Sequence, residues 1–219
     1  MKQPRLVIGN KNYSSWSLRG WLAMRKAGVE FDEQLLPLDT ETFAQQIGDL
    51  SPSRTVPALW DDSICIWGSL AIAEYANERW AGAELWPADM ATRARARAIS
   101  AEMLAGFPAL RAHLPMNCRA SGRRVSIDDK LAADIARVVA IWLECRENAG
   151  DAGPWLYGKF SIADAMYAPV ALRFITYDIE VPALAASYIE TVLQDADVAD
   201  WMAAARQETA IVEADEAGV

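Results

Sequence analysis

The chain has 219 residues, 53% of them hydrophobic and 23% charged, enough to bury one large or two modest cores and to confine disorder to short segments. Twenty-one Lys and Arg against thirty Asp and Glu leave a formal charge of −9, which repels phosphate backbones and anionic lipid and argues against nucleic acid as a partner. No stretch reaches the ~18 to 20 apolar residues of a membrane span, and no apolar run follows Lys2 and Arg5, so a soluble, unprocessed chain with no membrane partner is expected.

Leu6-Val7-Ile8 reads as a first strand, followed by a helix from about Ser17 to Ala27 that Gly28 can close in the left-handed conformation. Phe31 to Leu36 resumes an extended pattern, and a weaker helix covers about Thr40 to Asp49. Val56 to Trp60 and Ile64 to Ile66, joined by Asp61-Asp62-Ser63, form a predicted hairpin, and a helix from Ser69 to about Trp80 completes the order β-α-β-α-β-β-α. Ala81 to Pro87 breaks the pattern as a linker between domains at 1–80 and 88–219.

Beyond that linker only helical spacing remains. Ile127, Leu131, Ile135, Val138, Trp142 and Cys145 form one stripe, with a capping signal in Ser126 and Asp129 at its start. The segment Ser161 to Thr176 is apolar on nearly every side, with only Asp164 and Arg173 charged, and is expected to be buried at the centre of the helical half. Ser161 and Asp164 make a capping box, and Pro169 predicts a bend. The acidic, small residues Glu208 to Val219 are expected to fray, and the basic cluster Arg119, Arg123 and Arg124 to sit in a solvated loop.

Cys65, Cys118 and Cys145 are too scattered for a disulfide framework or a metal site, so no metal is expected, and Cys65 reads as a small core hydrophobe. His113, the single histidine, has no hydrolase signature around it and is expected at the surface or at a pocket edge.

Three segments, in this order, resemble the glutathione transferase superfamily: Tyr13-Ser14-Ser15-Trp16-Ser17-Leu18-Arg19, Ser51-Pro52-Ser53-Arg54-Thr55-Val56-Pro57-Ala58-Leu59, and Gly158-Lys159-Phe160-Ser161-Ile162-Ala163-Asp164. The resemblance implies a thioredoxin-like α/β N-terminal domain followed by an all-α helical domain. It also implies glutathione as co-substrate with no metal, and a small hydrophobic electrophile as the second substrate. A cytoplasmic homodimer with a detoxification role follows from the same likeness.

The family's serine-type members carry their catalytic hydroxyl where Ser14 and Ser15 stand, so Ser14 is expected to donate to the glutathione sulfur, with Ser15 as its alternate and as a helix cap. Trp16, Arg54, Thr55, Val56, Pro57, Gly68 and Ser69 are the corresponding glutathione-binding positions. The Val56-Pro57 bond is expected to be cis, with the Val56 main chain pairing with the cysteinyl part of the tripeptide. Ser69 is expected at a helix N-terminus that can hold a carboxylate. Gly68 stands where relatives have an acidic or amide residue, and Thr55 where they have lysine, with Arg54 offering a charge in its place.

A thiol of pKa near ~8.5 must fall about two units to be largely thiolate at neutral pH, a stabilisation of about 2.7 kcal/mol. A hydroxyl bonded to the charged sulfur (~1.5 to 3 kcal/mol) and a helix N-terminus (~0.3 to 2 kcal/mol) together suffice. The Ser-Ser pair resembles the zeta class, which includes maleylacetoacetate isomerases, although that class follows the pair with cysteine rather than Trp16. An isomerase is therefore one alternative, and Gly68 and Thr55 point to another, a non-catalytic binding module. Met103, Phe107, Arg111 and Met116 are candidate walls of the second-substrate pocket.

Overall fold

A computed structural model describes residues 3–82 and 84–218; Met1, Lys2, Val219 and Ala83 of the predicted linker lie outside the described residues. Strand β1 (Arg5–Ile8) leads into helix α1 (Ser15–Lys26), β2 (Asp32–Leu35), α2 (Glu41–Leu50), β3 (Ala58–Asp61), β4 (Ile64–Trp67) and α3 (Ser69–Arg79), the predicted order. The sheet runs β2-β1-β3-β4, with β2 parallel to β1 and the other pairs antiparallel.

Alternation along the strands decides what covers each face. Leu6, Ile8 and Leu59 point toward α1 and α3, while Val7, Ala58 and Leu36 meet Ile47 of α2 in a smaller cluster. Cys65 is half-buried against that smaller cluster rather than inside the main core, because β4 is an edge strand whose outer row stays accessible.

The second half is helical among the described residues: α4 (Met90–Ala105), α5 (Pro108–His113), α6 (Asp129–Ala149), α7 (Ile162–Thr176), α8 (Ala183–Gln194) and α9 (Ala196–Gln207). Helix α7 is buried along nearly its whole length and touches α1, α4 and α8, as its apolar circumference requires. Its capping box forms: the buried Asp164 carboxylate accepts from the Ser161 N–H at 2.8 Å, the Ser161 hydroxyl at 2.9 Å and the Leu156 N–H at 3.0 Å. One continuous apolar core runs from beneath the sheet through α1 and α3 into these helices. Leu85 and Trp86 in the linker are buried with it.

Several local expectations shift. Ser14, not Ser15, caps α1, because only the Ser14 oxygen reaches the Ser17 N–H. Asp128, not Ser126, caps α6 by accepting from Leu131 at 2.8 Å. Gly68 at φ 85° takes the N-cap position of α3, so Ser69 is the first helical residue.

The C-terminal segment is docked rather than frayed. Glu208 accepts from the Lys11 and Asn12 N–H groups at 2.7 and 3.0 Å, Val212 is buried, and Glu216 accepts from Tyr13 Oη at 2.6 Å and Asn117 Nδ2 at 2.9 Å. The basic loop is what holds it. Arg119 donates to the carbonyls of Glu208 and Ala210, and Arg123 pairs with Glu216 at 2.6 Å. Acidic composition suggested a tail with nothing to bury, but its carboxylates complement main-chain donors and guanidinium groups that lie far away in sequence.

Candidate active site

The turn between β1 and α1 is fixed from three directions. Asn10 accepts the Tyr13 and Ser14 N–H groups on its carbonyl, Trp201 of α9 donates to the Lys11 carbonyl at 2.9 Å, and Asn12 donates to Asn117 at 2.9 Å. The strap formed by residues 208–216 closes over the same turn. Ser14 and Ser15 are thereby presented at the start of α1, whose N-terminal end favours negative charge.

A cavity of about 380 Å³ opens there. Its wall takes Tyr13, Ser14, Ser15 and Trp16 from that turn, and Leu38 and Phe43 from the approach to α2 and its first turn. Arg54, Thr55 and Val56 come from the loop before β3. Arg111, Pro115 and Met116 join from α5 and its exit, Arg173 from α7 and Asp215 from the strap.

Six of the nine expected positions therefore share one cavity. Pro57, Gly68 and Ser69 stand outside its wall but next to it in sequence and by a hydrogen bond: the Val56–Pro57 bond is cis, and the Gly68 N–H donates to the Pro57 carbonyl at 3.2 Å. The Ser69 hydroxyl is buried and has no hydrogen-bond partner among the described residues. Of the expected second-pocket walls, Arg111 and Met116 line the cavity, while Met103 and Phe107 belong to the core. His113 is exposed, with its Nδ1 at 2.9 Å from the Ala109 carbonyl, and stands apart from the cavity.

The two serines differ in their hydrogen bonding. Ser14 Oγ accepts from the Ser17 N–H at 3.3 Å and donates its proton to Ser17 Oγ at 2.8 Å, so its hydroxyl is occupied within the turn. Ser15 Oγ accepts from Arg173 Nη2 at 2.9 Å, which leaves the Ser15 proton uncommitted. Arg173 is 5% exposed, and burial, reinforced by the charge of Arg111, pushes its guanidinium down to about 10. It is still a cation at neutral pH.

Two more guanidinium groups lie over the Trp16 ring, with Arg19 at 4.4 Å and Arg111 at 4.6 Å from its centroid. Asp215 brings a carboxylate to the cavity, raised from its usual range by burial against the opposing pull of Arg173.

Sequence reasoning passed over Arg173 as a site residue. The signal was present, since a helix apolar on every side carried two charges and the capping box accounted for only Asp164. Asp215 gave no such signal, because only the docking of the strap brings it there.

A four-stranded mixed sheet with its helices, joined to an all-helical half and carrying a hydroxyl-lined cavity at the junction, defines a glutathione transferase-like fold. Residues 13–79 match the family described as Glutathione S-transferase, N-terminal domain. A glutathione transferase homolog from Burkholderia gl BGR1, solved with bound glutathione, superposes with a TM-score of 0.72 over 94% of this chain and 98% of its own, at 23% identity. A tau class glutathione S-transferase from mango gives 0.70 over 91% and 92% at 18% identity. The N-terminal part of the chain thus matches the glutathione S-transferase N-terminal domain family, and the whole chain shares the fold of these two structures.

Among curated proteins, a probable maleylacetoacetate isomerase from Caenorhabditis elegans is 33% identical over 109 residues, 50% of each chain. Protein IN2-1 of Zea mays is 27% identical over 166 residues, 75% of this chain and 63% of the maize protein. The matched stretches thus span between half and somewhat under two thirds of these relatives.

Proposed function

We propose that this protein is a glutathione-dependent transferase that ionises the glutathione thiol beside Ser15 and adds the sulfur to a small electrophile held in the same cavity. The observation that carries the proposal is the Ser15 hydroxyl, at the start of α1 and on the cavity wall, with its oxygen held by a buried guanidinium and its proton free.

Val56 stands outside the β-ladder, which begins at Ala58, and offers its main chain to the cysteinyl part of the tripeptide. The start of α3, with the unpartnered Ser69 hydroxyl beside Pro57, would receive a carboxylate at the far end. Arg54 and Thr55 flank the entry, and Trp16 forms the wall facing the electrophile.

In the reaction the thiol proton passes to solvent. A sulfur lone pair then forms the C–S bond while a leaving group departs with its electron pair, or while an activated double bond accepts the pair. Ser14 keeps the turn in place by capping α1 and bracing Ser17.

The relatives named as maleylacetoacetate isomerases support a second reading. There the sulfur would add reversibly to a double bond and leave after rotation, with no net consumption of glutathione. The family likeness also supports a cytoplasmic homodimer with a detoxification role, and sedimentation of the purified chain tests the dimer.

Titration calorimetry with glutathione, joined to conjugation kinetics of wild type and Ser15→Ala, tests the main reading. It expects saturable binding and a neutral-pH rate roughly threefold to twenty-five-fold lower in the variant, the effect on the thiolate fraction of losing one hydrogen bond to a charged atom. Absence of binding at millimolar glutathione would instead favour a non-catalytic module.

A further inference from the structure

Ser15 is 6% exposed, so a thiol seated against it is shielded from bulk water and ionises fastest beside a base that takes its proton. Few groups on the cavity wall can do so. The serine and threonine hydroxyls do not titrate near neutral pH, the arginines are cations with no acceptor atom, and no histidine or cysteine lines the cavity. The Tyr13 phenol donates to Glu216 at 2.6 Å and accepts from Arg119 at 2.7 Å, and burial together with the bond to Glu216 pushes its pKa up. Asp215 is left, the only carboxylate on the wall among the described residues.

The strap sets it there. Glu208 holds the Lys11 and Asn12 amides, Glu216 holds Tyr13 and Arg123, and the single turn Glu213–Asp215 between them presents the Asp215 side chain to the cavity. That carboxylate is half-buried, yet it makes neither a hydrogen bond nor an ion pair with the described residues. Electrostatics allows it two roles of opposite sign. As a fixed anion it would repel the thiolate and oppose ionisation. As the acceptor of the thiol proton it becomes neutral while the sulfur becomes negative, so the cavity carries one negative charge before and after, facing Arg173 in both states. The surroundings favour the second role. Burial, with the like charges of Asp39 from the loop after β2 and of Glu216, raises the Asp215 pKa against the pull of Arg173 from α7. A carboxylate raised from its usual range is a stronger base, better matched to a thiol.

We propose that Asp215 is a catalytic residue that handles the proton of the reaction: it takes the proton of the glutathione thiol and, when the electrophile is an activated double bond, returns it to carbon. The proposal rests on the glutathione-dependent reading above. The S–H bond breaks with its electron pair left on sulfur, and the proton joins the Asp215 carboxylate. A sulfur pair then forms the C–S bond, the π pair moves to the neighbouring carbon, and the Asp215 proton joins that pair, which restores the carboxylate. In a substitution the leaving group departs with its electrons, and Asp215 passes the proton on to solvent.

Two substrates separate these steps: benzylideneacetone, an enone whose adduct needs a proton on carbon, and chlorodinitrobenzene, whose product does not. Each kcat/KM is divided by the spontaneous rate with glutathione. Asp215→Asn keeps the shape of the side chain and removes its basicity. It should lower kcat/KM about a hundredfold or more for the enone, in the range of general acid–base catalysis, and at least about tenfold less for the chloroarene. In Asp215→Ala, formate should restore much of the loss, whereas chloride at the same ionic strength should not, because only formate replaces the missing base.

Rates at or above wild type with both substrates would make Asp215 a fixed opposing anion and overturn the proposal. A loss that formate leaves untouched overturns it too, since the residue would then only hold the strap. An equal loss with both substrates overturns the return of the proton to carbon. Wild-type protein that binds glutathione and turns over neither substrate rejects the transferase reading and the proposal together, whereas an active wild type with an indifferent Asp215→Asn rejects the proposal alone.

Discussion

Replacing Ser15 with alanine is expected to raise the pKa of bound glutathione by about one to two units. The Ser15 oxygen already accepts from Arg173 Nη2 at 2.9 Å, so the single hydroxyl proton can point only toward another acceptor, and the cavity is where it is free to do so. A hydrogen bond to a charged sulfur contributes ~1.5 to 3 kcal/mol, and one pKa unit corresponds to about 1.36 kcal/mol. At neutral pH, starting from a thiol lowered by about two units from ~8.5, the thiolate fraction, and with it the conjugation rate, should fall roughly threefold to twenty-five-fold. Ser14→Ala should behave differently. It removes a helix cap, costing ~0.5 to 2 kcal/mol of stability, while leaving the thiol pKa close to that of the wild type. The assay is a pH titration of the ultraviolet absorbance of thiolate in the glutathione complex of each variant. A thiol pKa that stays put in Ser15→Ala and climbs in Ser14→Ala would refute the assignment and return the role to Ser14.

Asp164→Ala should destabilise the fold by about 3 to 5 kcal/mol, because it strands the buried N–H groups of Leu156 and Ser161 as well as the Ser161 hydroxyl; denaturant unfolding measures it. Gly158→Ala should cost on the order of 1 to 3 kcal/mol, since φ is +84° and a β-carbon would come within 2.7 Å of the Ala152 side chain and 2.9 Å of its carbonyl; thermal unfolding reads the loss. The strap should release in acid. Burial works against the Glu216 charge, but hydrogen bonds from Tyr13, Asn117 and Arg123 outweigh it and hold its pKa below the usual carboxylate value. A depressed folded-state pKa contributes stability above the unfolded value of about 4.3, and that contribution disappears as pH falls through the folded value. Hydrogen exchange at the Lys11 and Asn12 amides should therefore stay slow at neutral pH and quicken in this acid range, and Glu216→Gln should quicken it at neutral pH.

Local patterns revealed the elements because each carried its own period or punctuation. The strand around Val7 is a short continuous apolar run, Thr40 caps α2 as a side-chain acceptor, and the Ser161–Asp164 pair marks the start of α7. The serine pair and the Val56-Pro57 step were legible through a family likeness rather than through local chemistry, which offers a plain cap and a plain turn as readings. Features made by distant pairing stayed hidden. The role of Ser14 as cap depends on one residue of phase at the helix start, and the docking of Glu216 depends on Tyr13 and Arg123, which are remote in the chain. The arginine cluster is intermediate: Arg173 was conspicuous as an unexplained charge in an apolar helix, but its contact with Ser15 spans 158 positions and no periodicity encodes it.

A crystal structure of the protein with glutathione bound tests the central claim most directly. The account expects the sulfur within hydrogen-bond distance of Ser15 Oγ, the cysteinyl main chain paired with Val56, and Arg173 still holding the Ser15 oxygen. A tripeptide seated elsewhere, or a sulfur turned away from Ser15 with Val56 unpaired, would contradict it.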